Sequence, residues 1–193
     1  MKVKYGLKNV HYAVATIADD GSATYAKPKP FTGAISISME AQGENAVLRA
    51  DNMNYFVSNG NSGYQGDLEM ALYTDEFRKD ILGEEIAENG IQYEVQNAPI
   101  VHFALLFQFQ DDVKNTRHAF YNCTATRPSV ASETTPENGV EPQTESSTIT
   151  ATNIYVPELD KEIVKGKAGP NDEAYAAWFE DVQKPSAAAG GEG

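Results

Sequence analysis

An apolar/polar alternation of period two recurs along most of this chain and constrains its fold more than any other feature. Val10, Tyr12 and Val14 alternate with His11, Ala13 and Ala15; Ile35, Ile37 and Met39 with Ser36, Ser38 and Glu40; Leu68, Met70 and Leu72 with Asp67, Glu69 and Ala71. Successive side chains of a strand point to opposite faces. Each run therefore predicts a strand with one packed face and one that meets water or a partner. Residues 100–110 are more continuously apolar, with Phe103, Leu105, Phe107 and Phe109 on one side and His102, Ala104, Leu106, Gln108 and Gln110 on the other. That pattern predicts a central strand covered on most of both faces. The polar turn 111–116 returns the chain as Arg117–Arg127, a hairpin. Asn89-Gly90, both tolerant of positive φ, predicts a second one between 84–88 and 91–95, and Thr144–Tyr155 reads as a further strand.

Two segments carry helical periodicity. Thr74 can cap a helix whose first turn holds Asp75 and Glu76, whose apolar face is Phe77, Ile81 and Leu82, and which Gly83 stops. After Pro170-Asn171-Asp172, Tyr175, Trp178, Phe179 and Val182 stand at i, i+3, i+4 and i+7, predicting an amphipathic helix over 169–183 that Pro185 ends. Its Trp178 and Phe179 either pack on the parent domain or dock on a neighbouring copy. The fold class is mainly β (α+β): a β-sandwich over 1–168 with one short flanking helix, a C-terminal helix over 169–183 and a disordered tail over 184–193. Ala41–Asn54, Val57–Gly66 and Pro128–Pro142 have few core candidates and many turn formers. Loops of such length in a small β domain are functional or disordered. Residues 41–66 read as one long protruding excursion that holds the aromatic pair Tyr55-Phe56, and 128–142 as a flexible loop.

With 193 residues, 28 acidic against 15 basic side chains and a net charge of −13, the chain is long enough for one real core and too acidic to grip nucleic acid or an anionic membrane. One cysteine, Cys123, leaves no intrachain disulfide and no cysteine-based zinc site. Met1-Lys2-Val3-Lys4-Tyr5-Gly6 has no apolar run behind it and does not read as a signal peptide. The apolar stretch at Ala104–Phe107 is far too short to span a bilayer.

A search for chemistry finds none. His11, His102 and His118 fall on three strands with no paired spacing, which makes them structural. Cys123 and His118 are five residues apart on one strand, so their side chains point to opposite faces and form no nucleophile pair. Asp19-Asp20, Glu84-Glu85 and Asp111-Asp112 sit beside turn residues as solvated charges, and Asp19-Asp20-Gly21 lacks the further ligands of a calcium loop. Gly60, Gly63 and Gly66 precede no helix and no GK[ST], so they imply no phosphate cradle. No catalytic, metal-binding or cofactor-binding residue is assigned, and the expected role is not enzymatic.

Several stretches, taken in order, carry a resemblance. They are Pro30–Glu44, Ala50-Asp51-Asn52 leading to Tyr55, Asn61–Glu69 leading into Phe77–Gly83, Phe103–Phe107 and Tyr121–Pro128. From Tyr5 to Thr152 the chain resembles the major tail proteins of long-tailed phages with flexible, non-contractile tails, especially those of Gram-positive hosts. The match is loose after Thr152, and the extra immunoglobulin-like domain of some relatives is not seen. The resemblance implies a β-sandwich flanked by a helix, shared with other tail tube proteins and with the type VI secretion tube protein. It implies rings of six copies that stack into a hollow tube, assembled in the host cytoplasm and carried in the virion. DNA passes through the channel without specific binding, the tape measure protein and other tail components are partners, and a long loop reaches the adjacent ring. On that reading Ser36, Ser38, Glu40, Asp67 and Glu69 line the lumen; Asn45, Tyr55, Phe56, Asn61 and Tyr64 belong to the inter-ring arm. The competing reading is a ligand- or carbohydrate-binding β-sandwich that uses Tyr12, Tyr55, Tyr64 and Tyr73 as stacking platforms.

Overall fold

The computed structural model of the chain describes residues 6–43, 45–50, 53–110, 112, 114–130 and 143–187, with 45–50 and 53–59 described by their backbone. Its strands are β1 (Leu7–Ile17), β2 (Ala23–Tyr25), β3 (Lys29–Pro30), β4 (Ala34–Gln42), β5 (Asn45–Ala50), β6 (Met53–Asn59) and β7 (Gly63–Met70). The helix α1 (Asp75–Asp80) follows, then β8 (Glu85–Ile86), β9 (Gln92–Tyr93), β10 (His102–Phe109), β11 (Arg117–Ala125), β12 (Glu145–Thr152), β13 (Ile154–Val156), β14 (Lys161–Ile163) and β15 (Lys165–Ala168).

One antiparallel sheet dominates, in the order β2-β1-β10-β11-β12-β7-β4, with β3 on β1 and β15 on β11. The sheet curls until β4 faces β1 across an apolar interior. The expected sandwich is thus made by one sheet folding over itself. The predicted central hairpin is β10–β11, in register at Leu105↔Phe120 and Phe107↔His118. Residues 103–108 of β10 are buried on both faces. Phe103, Leu105 and Phe107 enter the main core with Leu68, Met70, Phe120, Cys123 and Ile149. Ala104 and Leu106 enter a second core with Ala13, Ala119, Tyr121, Ile154 and Trp178. The Asn89-Gly90 turn closes β8–β9 as expected, with Gly90 at φ +84°.

The helix forms where its capping sequence stands. Thr74 Oγ1 accepts the Phe77 N–H at 3.3 Å, satisfying a donor of the first turn. The helix is short but plugs the open end of the main core with Phe77. That ring stacks on Phe31 at 4.3 Å and meets Tyr12, Tyr73 and Phe103 edge-on or tilted at 5.1, 5.5 and 5.6 Å. Arg78 ties the helix to β12 by donating both to Glu145 Oε1 (2.9 Å) and Oε2 (2.8 Å). At Gly63, φ is +105° and a Cβ would run into the Ala151 carbonyl, so only glycine starts β7 beside β12.

Five expectations are corrected. Residues 41–66 are not a loop: β4 and β7 continue to Gln42 and Gly63, and β5–β6 form their own hairpin between them. Polar composition misled here, because an antiparallel pair satisfies its backbone without an apolar face. The segment 169–183 is not an α-helix but a 3₁₀ turn, Glu173–Tyr175, followed by further turns bonded as Trp178 N–H to Tyr175 O and Glu180 N–H to Ala177 O. It is instead pinned to the sheet: Arg117 donates to the Tyr175 carbonyl, the Trp178 side-chain Nε1 to His118 O (3.3 Å) and Tyr121 Oη to Gln183 O (3.0 Å). Ile35 does not pack with Ile37 and Met39, because a bulge between Ala34 and Ser36 leaves it 44% exposed. Leu72 lies beyond the end of β7 and is 64% exposed. Lys184 donates to the Ala23 carbonyl at 3.0 Å, so the expected tail begins attached to the body. Residues 131–142 of the expected flexible loop and 188–193 of the tail lie outside the described residues.

Replacing Phe77 by Ala should destabilise the fold by about 3–5 kcal/mol, the usual cost of truncating a fully buried phenylalanine. Urea denaturation reads this directly; a loss below about 1 kcal/mol would mean that α1 does not seal the core.

Candidate functional site

Three neighbouring strands, β4, β7 and β12, present one face outward. Their registers place Ser36 beside Glu69 and Ser38 beside Asp67, then Glu40 beside Gln65. Across β7, Ser146 pairs with Glu69, Thr148 with Asp67 and Thr150 with Gln65. Cross-strand neighbours share a face, so one polar surface runs over all three strands, while Ile37, Met39, Leu68, Met70 and Ile149 lie on the reverse, toward the core. All five residues predicted to line a lumen, Ser36, Ser38, Glu40, Asp67 and Glu69, therefore come together. Ser38, Glu40, Gln42, Gln65, Asp67 and Thr148 border a shallow concavity of about 380 Å³.

Hydroxyls organise its charge. Thr144 Oγ1 donates to Glu69 Oε1 at 2.7 Å, Ser36 Oγ to Glu69 Oε2 at 2.9 Å, and Thr148 Oγ1 to Asp67 Oδ1 at 2.9 Å. The Thr144 bond first, and the Ser36 bond second, hold the Glu69 carboxyl below its usual range, since both favour the ionised form. Gln65, Thr144 and Thr148 were not singled out in the sequence. The β12 signal was present in the alternation of Ser146, Thr148 and Thr150 with Ser147, Ile149 and Ala151, but nothing local showed that β12 lies beside β7.

The other predicted site residues separate. Asn45, Tyr55 and Phe56 fall on the β5–β6 hairpin, where Asn45 pairs with Asn59 and Leu48 with Phe56; their side chains lie outside what is described. Asn61 is exposed in the link to β7, and its Oδ1 accepts the Gly63 N–H at 3.2 Å. Tyr64 is not in the excursion but in β7, half-buried, 5.3 Å from the Phe120 ring and beneath the Lys165 ammonium.

A family described as phage tail tube protein matches residues 1–186. The chain belongs to the phage tail tube protein family. A comparison with curated proteins finds no match. Among solved structures, this tail tube protein is similar to the sheath/tube terminator of an extracellular contractile injection system in its extended state, at 12% identity and a TM-score of 0.44, covering 86% of this chain and 99% of that one. It is also similar to the tube-terminating cap of the anti-feeding prophage (12%, TM-score 0.40, 88% and 95% covered) and to a chain of that particle's baseplate (10%, 0.39, 89% and 97%). As a member of its family the protein is a structural component of a phage tail and so of the virion.

The geometry of this tail tube protein bears on two of the alternatives left open by the sequence. Tyr12 and Tyr73 are each 1% exposed, so neither can serve as a stacking platform for the carbohydrate-binding reading. Tyr12 Oη donates to the half-buried Asp80, and Tyr73 Oη donates to the Leu68 carbonyl inside the core. Trp178 is buried in the second core of its own chain, and Phe179 stacks on His11 at 4.7 Å. Of the two docking alternatives, the C-terminal segment takes the parent domain. Cys123 is fully buried, and desolvation pushes its thiol well above the ordinary range, so it holds its proton.

The Thr144→Val/Ser36→Ala double variant should raise the Glu69 carboxyl toward its ordinary range, read by NMR titration. The stability this carboxylate contributes in wild type is present above the ordinary value and fades as pH falls through its lowered one. In the double variant that acid-side loss should therefore begin at higher pH.

Proposed function

We propose that this tail tube protein is the repeating subunit of the tube. Six copies close into a ring, rings stack, and the face built by Glu40, Asp67 and Glu69 lines a bore through which DNA leaves the particle. The observation that carries the reading is that polar face: hydroxyls and carboxylates on one side of β4, β7 and β12, and core on the other. A bore must pass a polyanion without retaining it. A wall of carboxylates offers phosphate no cation to exchange against its counterions, so the polymer slides. The same face suits the tape measure protein and other tail components as transient occupants of the bore.

Two further features support assembly. β4 ends the sheet, and its outer edge has no strand partner among the described residues. Open edges invite pairing with another chain, an aggregation hazard in a monomer but a closing device in a ring. The β5–β6 hairpin leaves the body from the same two strands that carry the acidic face, as an arm to the next ring would.

The Glu40→Lys/Glu69→Lys double variant should still build tubes of normal width by electron microscopy, yet slow DNA release from reconstituted particles at least severalfold. Unchanged release would remove the acidic face from the bore. Deleting residues 45–62 joins the paired residues Gln42 and Gly63 through Gly43 and Glu44, a Gly-first two-residue loop suited to a type II′ turn. That variant should fold and form isolated rings that do not stack; full-length tubes would show that the hairpin is not the inter-ring arm.

A further inference from the structure

On this acidic chain, two cations stand together at the rim of an apolar groove. At the start of β11, a cavity of about 540 Å³ opens between β4, β7, β10 and β15. Met39, Phe107 and Phe120 supply its floor, and the exposed Lys165 and Lys167 stand at its rim. The Lys165 ammonium lies 4.4 Å from the centre of the Tyr64 ring, which fixes one cation in position. Among the described residues neither lysine forms an ion pair. An apolar floor with two available cations is shaped for an apolar segment that brings its own carboxylates.

The chain carries such a segment near the opposite end of β11. The β8–β9 hairpin holds Ile86 and Ile91 outward, 53% and 59% exposed, with the exposed carboxylates Glu85 and Glu88 beside them. It is a held element. Gln92 Nε2 donates to Glu84 at 2.7 Å, Tyr93 Oη to Glu85 at 2.6 Å, and Arg127 to the Val95 carbonyl at 2.9 Å. The groove lies at Ala119 and the hairpin is tied at Arg127. At the rise of an extended strand these points are roughly 27 Å apart, so the hairpin cannot reach its own groove.

We propose that the β8–β9 hairpin of one copy seats in the Lys165/Lys167 groove of a second copy. Ile86 and Ile91 cover the apolar floor, and Glu85 and Glu88 face the two lysines. Groove and hairpin are different surfaces, so the contact is heterologous and repeats head to tail, the kind that generates rings or filaments. It rests on the tube reading for the closed assembly and adds which surfaces touch.

Charge reversal tests it. K165E/K167E and E85K/E88K should each sediment as monomer where wild type sediments as polymer, with unchanged circular dichroism, and the four-fold variant carrying both pairs should regain assembly. Assembly by either double variant, or loss that the combination does not rescue, overturns the contact. A second readout does not depend on polymer formation. Cys123 is fully buried, so Glu88→Cys mixed with Lys167→Cys should give an oxidative cross-linked dimer that neither variant gives alone. No mixed dimer overturns the proposal. Wild type that forms no tubes overturns the tube reading instead, while the cross-link still reports on this contact by itself.

Discussion

The β10–β11 hairpin is buried on both faces, and the rest of the molecule follows from that constraint. A strand pair with Phe103, Leu105 and Phe107 on one side and Ala104 and Leu106 on the other must be covered twice. The first cover is the sheet itself, which curls so that β4, β7 and β12 close over the large side chains while α1 plugs the end with Phe77. The second is built from β13, β15 and the C-terminal segment. Alanines at 13, 104 and 119 leave the sheet surface low there, and the Trp178 indole packs against it. Once both faces of β10 and β11 are spent, the outer face of β4, β7 and β12 is the broad strand surface left to be polar.

That division also sets what the chain's histidines touch. His11 stacks on Phe179, His102 Nδ1 lies 2.6 Å from Asn122 Oδ1, and His118 stacks on Phe107 at 5.4 Å. Each ring packs against or bonds to a neighbour. Arg78, bonded twice to Glu145 and near Glu84, joins α1 to β12, and Lys29 joins β3 to the helix through Asp80 at 2.6 Å. Both ion-pair clusters hold the helix against the sheet. Glu40, Asp67 and Glu69, on β4 and β7, stand outside both clusters and form the acidic face proposed for the bore.

Much of this was legible because strand alternation is local. The runs at Val10, Ile37 and Leu68, the β10–β11 and β8–β9 hairpins and the Thr74 cap all depend on near neighbours, and all appear where they were expected. The five residues of the acidic face were legible for the same reason: each is the polar partner in an alternating run. Errors arose where local signal and tertiary context diverge. The C-terminal stripe has helical spacing, yet the anchors on Arg117, His118 and Tyr121 hold it as successive turns. Residues 45–50 pair with 53–59 through the backbone, which composition alone does not signal. Tyr12 and Tyr73 read as stacking aromatics, but both rings are buried and their hydroxyls are bonded to Asp80 and to the Leu68 carbonyl.

By itself, then, the sequence determined the strand class, the main hairpins and the sidedness of most alternating runs, because each of these is written in spacings of a few residues. Only the tertiary structure decided that β12 lies between β7 and β11, so that Thr144 and Thr148 reach Glu69 and Asp67 across the sheet. Only it brought Lys165 and Lys167 beside Met39 and Phe107 and set the β8–β9 hairpin at the far end of β11. These are pairings between residues far apart along the chain. They are selected by which faces can be buried together, and no local window of sequence contains that choice.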